Sequence, residues 1–247
     1  MIFRRALFSV LLILPLSLVA FLPWMQGVQA GTLATAPSLA ALKGHHILLD
    51  PGHGGWDPGF VNRDGVQEKT INLQIALLLA EMLRKNGATV TLTRTSDRSL
   101  STPSHPGFPD AKHEDLAHRA RLGKAVGAEV VLSIHQNSFS DPRVHGPQLF
   151  LDPQDPAATR LAGLLQERLN AVAMTQRAPI DARRLHMVHD PGLPAVVVET
   201  GFLSNPEEAA RLRDPNYQRA LVQAMVDSLA AYFCGETPSD EKSALPS

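Results

Sequence analysis

Five short apolar, β-branched runs recur along the chain, at 46–49 (HILL), 89–92 (TVTL), 130–134 (VVLSI), 148–151 (QLFL) and 195–198 (AVVV). Between them lie stretches with helical spacing. Ile71, Ile75, Leu78 and Met82 share one face and are closed by Gly87; comparable stretches cover 116–126, 157–172 and 217–233. Strand alternating with helix predicts a single α/β domain, with a central, mostly parallel, twisted sheet and helices on both faces. The first, third and last runs are almost continuously apolar, as expected of strands buried on both sides. Segment 99–113 (SLSTPSHPGFPDAKH) is too rich in Pro and polar residues for a regular element and reads as a surface loop.

The N-terminus is different in kind. Arg4 and Arg5 precede a run from 6 to 25 without a charge, and Val28-Gln29-Ala30 follows in a small-x-small pattern. Residues 1–30 therefore read as an export signal, either cleaved as a signal peptide or retained as a membrane anchor. Residues 31–43 read as a linker, 44–235 as the folded domain and 236–247 as a disordered polar tail. The chain carries 23 basic and 24 acidic side chains; the signal holds two of the basic ones and none of the acidic ones, so the remainder has a net charge of −3. That balance argues against a nucleic-acid partner, which calls for a basic patch. Cys234 is the single cysteine, which excludes an intramolecular disulfide, a CxxC pair and a cysteine-built zinc knuckle. With no basic neighbour it reads as inert.

In open α/β sheets ligands gather beyond the carboxyl ends of the strands. Three of the five runs end in candidates: Asp50-Pro51-Gly52-His53-Gly54-Gly55, His135-Gln136-Asn137 and Glu199-Thr200-Gly201. Glu68 is a further acidic candidate, immediately before the first helix. Two imidazoles and a carboxylate at one sheet edge make a donor set for Zn2+ with an open fourth position. A dinucleotide loop starting at Gly52 fails, because Asp57 stands where the third glycine belongs. There is no GxSxG, and Ser204 falls in a turn. His186 and His189 come close before the last strand and are candidates for lining the cleft; the other histidines read as surface or strand-flanking residues.

The order of motifs resembles the zinc-dependent N-acetylmuramoyl-L-alanine amidases of the peptidoglycan amidase type 3 family. It comprises Asp50–Gly55 with Asp57 and Gly59, Glu68-Lys69 with Asn72-Leu73, Leu92-Thr93-Arg94 with Asp97, Arg119, Ser133–Asn137, and Glu199–Asn205 with Glu208. The resemblance covers about residues 45–233. It implies one Zn2+ held by His53, Glu68 and His135, and Glu199 as the catalytic residue that moves the proton between the attacking water and the departing alanine amine. Its implied substrate is the amide between N-acetylmuramic acid and L-alanine in peptidoglycan muropeptides, and the compact form is most similar to the germination-specific, spore-cortex branch. The larger division amidases of the family place an occluding helix between the third and fourth strands. Here 138–145 is too short for one, so control falls to expression or an activating partner protein. Asp50 reads either as an acceptor for the His53 imidazole or as a cap of the glycine turn; Asn137 and Arg94 either touch substrate or fix loops. Rival readings are a zinc hydrolase of another exported amide, such as a glycan deacetylase, and a non-catalytic wall-binding protein.

Overall fold

The computed structural model describes residues 37–101 and 109–239. The elements run β1 (His46–Pro51), α1 (Glu68–Lys85), β2 (Thr89–Leu92), α2 (Pro109–Val126), β3 (Val130–Asn137), β4 (Gln148–Leu151), α3 (Pro156–Ala173), β5 (Ile180–Asp181), α4 (His186–His189), β6 (Ala195–Phe202), α5 (Pro206–Leu212) and α6 (Pro215–Phe233). The sheet order is β2-β1-β3-β6-β4-β5, with every neighbouring pair parallel except β4 and β6. The three strands whose ends carry the candidate residues, β1, β3 and β6, are consecutive neighbours. Their carboxyl ends therefore form one continuous edge.

Alternation along these strands builds the two faces. Ile47, Leu49, Leu132, Ile134, Val196 and Val198 join the larger apolar cluster with α1, α3 and α6. Leu48, Val131, Ala195 and Val197 point the other way, into a smaller cluster with Ala120 of α2 and Met187 and Val188 of α4. The sheet is thus covered on both sides, and the thinner cover is the one that α2 and α4 provide.

Three helices begin in the same way. Asp155, Asn205 and Asp214 each cap a backbone N–H with the side chain, and proline follows as the first helical residue of α3, α5 and α6. Proline has no N–H to lose there and a fixed φ suited to the helix.

Several boundaries differ from the sequence reading. Helix α2 begins at Pro109, so 109–113 of the expected loop is helical, while 102–108 lies outside the described residues. The expected linker 31–43 runs into the domain: Leu39–Leu42 forms a 3-10 turn, and Leu42 is fully buried in the larger cluster. The expected tail is engaged at its start, where Glu236 approaches Arg168 and Ser239 bonds to Glu167. Strand β5 and helices α4 and α5 are too short to show a period in sequence. The expected export segment 1–30, residues 31–36 and the tail from 240 lie outside the described residues. Among the described residues no helix is long and apolar enough to cross a membrane.

Candidate metal centre

The turn after β1 carries the first candidate ligand in an unusual backbone state. His53 has φ 60°, a left-handed conformation that costs a side-chain-bearing residue free energy. Gly54 and Gly55 follow with φ 129° and 59°. Two buried guanidiniums hold this path in place. Arg119 donates to Pro51 O at 2.8 Å and His53 O at 2.7 Å. Arg94 donates to Pro51 O at 2.8 Å and Gly52 O at 2.9 Å. Burial and the neighbouring Arg119 charge lower the Arg94 guanidinium to about 10, which leaves it charged at neutral pH.

Asp50 belongs to this support and makes no contact with the His53 ring among its hydrogen bonds. Its carboxylate accepts from Thr93 Oγ1 and Ser133 Oγ at 2.6 Å each and from Arg119 Nη1 at 2.8 Å. Burial alone would raise the Asp50 carboxyl, but Arg119 and the two hydroxyls outweigh it and hold it below the usual range. The acceptor for the His53 imidazole is Asp57, with Nδ1 to Oδ2 at 2.8 Å. Of the two readings of Asp50, acceptor for the His53 ring or cap of the glycine turn, the first therefore does not hold. The signal available in sequence was an aspartate four residues after the histidine, within one short turn.

With Nδ1 engaged, His53 Nε2 faces Glu68 Oε1 at 3.2 Å, and His135 Nδ1 lies 3.0 Å from the same oxygen. Glu68 is the first residue of α1 and is buried; its Oε2 accepts from Phe60 N at 2.9 Å. Burial works against the charged form of both partners but loses. The two histidines hold Glu68 well below the carboxylate range, and Asp57 and Glu68 raise His53 to about 9. Among the described residues, His53, Glu68 and His135 are the group of three whose ligand atoms lie mutually close enough, within 4.8 Å, to hold a metal ion.

The donor set suits Zn2+ in kind and in spacing. Bonds of about 2.0–2.1 Å in a tetrahedral shell give ligand-to-ligand edges of about 3.3–3.4 Å. The two edges that end on Glu68 Oε1 are 3.2 and 3.0 Å. Two glycines make room for this triangle. A β-carbon on Gly52 would lie 2.2 Å from the His135 ring, and one on Gly59 would lie 2.5 Å from Glu68 Oε2.

Glu199 faces His135 in register across β3 and β6. Its Oε2 is buried without a hydrogen-bond partner. Burial, reinforced by the Glu68 charge, pushes its carboxyl well above the ordinary value. A cleft beside the two histidines is lined by Trp56, Lys112 and Leu116, with Met187 from α4. The α4 histidines do not line it: His186 pairs with Asp190, and His189 is exposed near Asp152. Arg94 serves to fix loops. Arg94 spends its donors on backbone carbonyls, and Asn137 Oδ1 accepts from Ser138 N at 2.8 Å. The segment between β3 and β4 contains no helix.

Comparison with known proteins shows the family of the chain. Residues 47–231 match the Amidase_3 family, described as N-acetylmuramoyl-L-alanine amidase. The germination-specific N-acetylmuramoyl-L-alanine amidase of Bacillus subtilis is 33% identical over 193 residues, covering 78% of this chain and 81% of the relative. The sporulation-specific amidase of the same organism is 31% identical, over 76% of this chain and 68% of its own length. Among solved structures, the CwlD amidase from Clostridioides difficile, determined in complex with the GerS lipoprotein, superposes with a TM-score of 0.74 at 32% identity. It is matched over 78% of this chain and all of that one.

Proposed function

The chain belongs to the N-acetylmuramoyl-L-alanine amidase family and hydrolyses the amide between N-acetylmuramic acid and L-alanine in peptidoglycan; from that premise we propose that His53, Glu68 and His135 hold one Zn2+ and that Glu199 is the catalytic residue. The observation that carries this reading is the group of three donors within 4.8 Å of one another, in which the two edges that end on Glu68 Oε1 are close to those of a tetrahedral zinc shell. A Zn2+ held there would supply Lewis-acid chemistry, lowering the pKa of water towards about 7 and stabilising charge on the amide oxygen.

The protein's own groups do the rest. Asp57 retains the Nδ1 proton of His53 and so keeps the Nε2 lone pair directed at the site. Glu199 takes a proton from the attacking water at the unpartnered Oε2 and returns it to the alanine nitrogen as the C–N bond breaks. That oxygen is itself out of contact with bulk water.

Residues 1–30 serve as a signal peptide or anchor for export, and 44–235 as the catalytic domain. The germination-specific and sporulation-specific relatives support a place in spore-cortex maturation, in the forespore intermembrane space or wall, and the lipoprotein-bound relative supports an activating partner. The test is mass spectrometry of spore-cortex and vegetative peptidoglycan digests. Free stem peptides should be released, release should stop with a chelator, and Zn2+ should restore it. Acetate as the released product, or turnover indifferent to the chelator, would overturn the reading.

A further inference from the structure

Behind Glu68 runs a row of three uncharged polar side chains that the reaction does not use. Asn72 Nδ2 donates to Glu68 Oε1 and to Gly52 O, each at 3.2 Å. Gln136 Nε2 donates to Asn72 Oδ1 at 3.2 Å, and Thr200 Oγ1 donates to Gln136 Oε1 at 2.8 Å. Asn72 and Thr200 are fully buried, and Gln136 is 3% exposed. The three come from α1, β3 and β6.

The polarity of this row follows from its end. An ionised carboxylate only accepts, so Asn72 must turn its NH2 towards Glu68. Its carbonyl then faces Gln136, which must present its own NH2. The Gln136 carbonyl is left facing Thr200, whose hydroxyl must donate. No amide in the row can flip without setting two acceptors against each other in a buried site, where an unmade bond is costly. The oxygen at the end of the row, Glu68 Oε1, is the one that lies between the imidazoles. The Gln136 backbone N–H adds a further bond to it at 3.1 Å.

We infer that Thr200, Gln136 and Asn72 form a positioning relay that fixes Glu68 Oε1 between His53 and His135, so that zinc affinity depends on the hydroxyl of Thr200, a residue that touches none of the three ligands. The inference rests on the metal reading of those ligands. It also ties the ligand on α1 to the strand that carries Glu199.

The experiment measures the Zn2+ dissociation constant by chelator competition for the parent, Thr200→Val, Thr200→Ser, Gln136→Leu and the double variant that combines Thr200→Val with Gln136→Leu, together with the melting temperature of each metal-free protein. Thr200→Val should weaken binding about tenfold or more, in the range of outer-shell changes at metal sites. Thr200→Ser, which keeps the hydroxyl, should bind like the parent. The double variant should bind no more weakly than the weaker single, because both changes break one chain. Equal affinity in Thr200→Val and parent, even with a lowered melting temperature, would reduce the row to packing and overturn the relay. Additive losses in the double variant would do the same. If the parent itself binds no Zn2+, the metal reading falls and takes the relay with it. Should Gln136→Leu fail to fold, Thr200→Val and Thr200→Ser decide alone.

Discussion

The His135 imidazole occupies the space that a β-carbon on Gly52 would need, with Cε1 and Nε2 both 2.2 Å from that position. Gly52 does not have a positive φ, so the requirement for glycine is one of volume and not of torsion. Gly52→Ala should displace the ring. A displacement of about 1 Å can cost about 100-fold in rate. Amidase activity is expected to fall by that order, with weakened zinc binding in the same titration. Full activity in the alanine variant would refute the placement of His135 against this turn.

The other imidazole, His53, depends on Asp57. Asp57→Ala removes the acceptor for Nδ1–H and frees the ring to rotate or to change tautomer. Loss of such a partner costs about 10–100-fold in metal affinity. Competition with a chelator should show that loss, and Asp57→Asn should fall between parent and alanine because its carbonyl still accepts.

For Glu199 the expected dissociation is between binding and turnover. Glu199→Gln keeps the shape and removes the proton carrier. Zinc content measured by atomic absorption should match the parent, while stem-peptide release should drop by about 100- to 10,000-fold. Metal-depleted but otherwise intact Glu199→Gln would count against its separation from the ligands.

The Asp50–Arg119 pair predicts a pH signature in stability. Asp50 has a folded-state pKa below the ordinary 3.8. The stabilisation it provides is therefore complete above about pH 4 and fades as pH falls below 3.8 towards the depressed folded value. Asp50→Asn leaves Arg119 buried with Asp115 as its remaining carboxylate partner, and breaking a buried pair costs about 3–5 kcal/mol. Unfolding free energies of parent and variant from denaturant titrations should differ by that amount at neutral pH, and the gap should narrow as the titrations are repeated below pH 3.8. A difference that stayed constant with pH would show that the Asp50 charge is not what stabilises the fold.

The strand ends that carry His53, His135 and Glu199 can be read from sequence because each follows a nearly unbroken apolar run, the mark of a strand covered on both faces. What the sequence leaves open is which neighbours those residues meet. Asp50 stands next to the glycine turn in the chain, yet its partners are Thr93, Arg119 and Ser133, brought in from β2's end, α2 and β3. Asp57, which holds the His53 ring, is part of a recognisable motif, but its role appears only when the left-handed turn folds it back. The row from Thr200 to Asn72 joins three elements through a strand order that no local period encodes. Helices α4 and α5 and strand β5 are shorter than the windows over which periodicity can be counted.

The sheet that aligns the catalytic edge ends on one side at β5, a strand of two residues beside which Arg183 clasps the carboxylate of Asp181. A border so short and so charged offers little backbone for a foreign strand to zip onto. The catalytic layer is thereby guarded, at that margin, against growing by recruitment of a second chain, a hazard that any open-sheet protein meets at high local concentration.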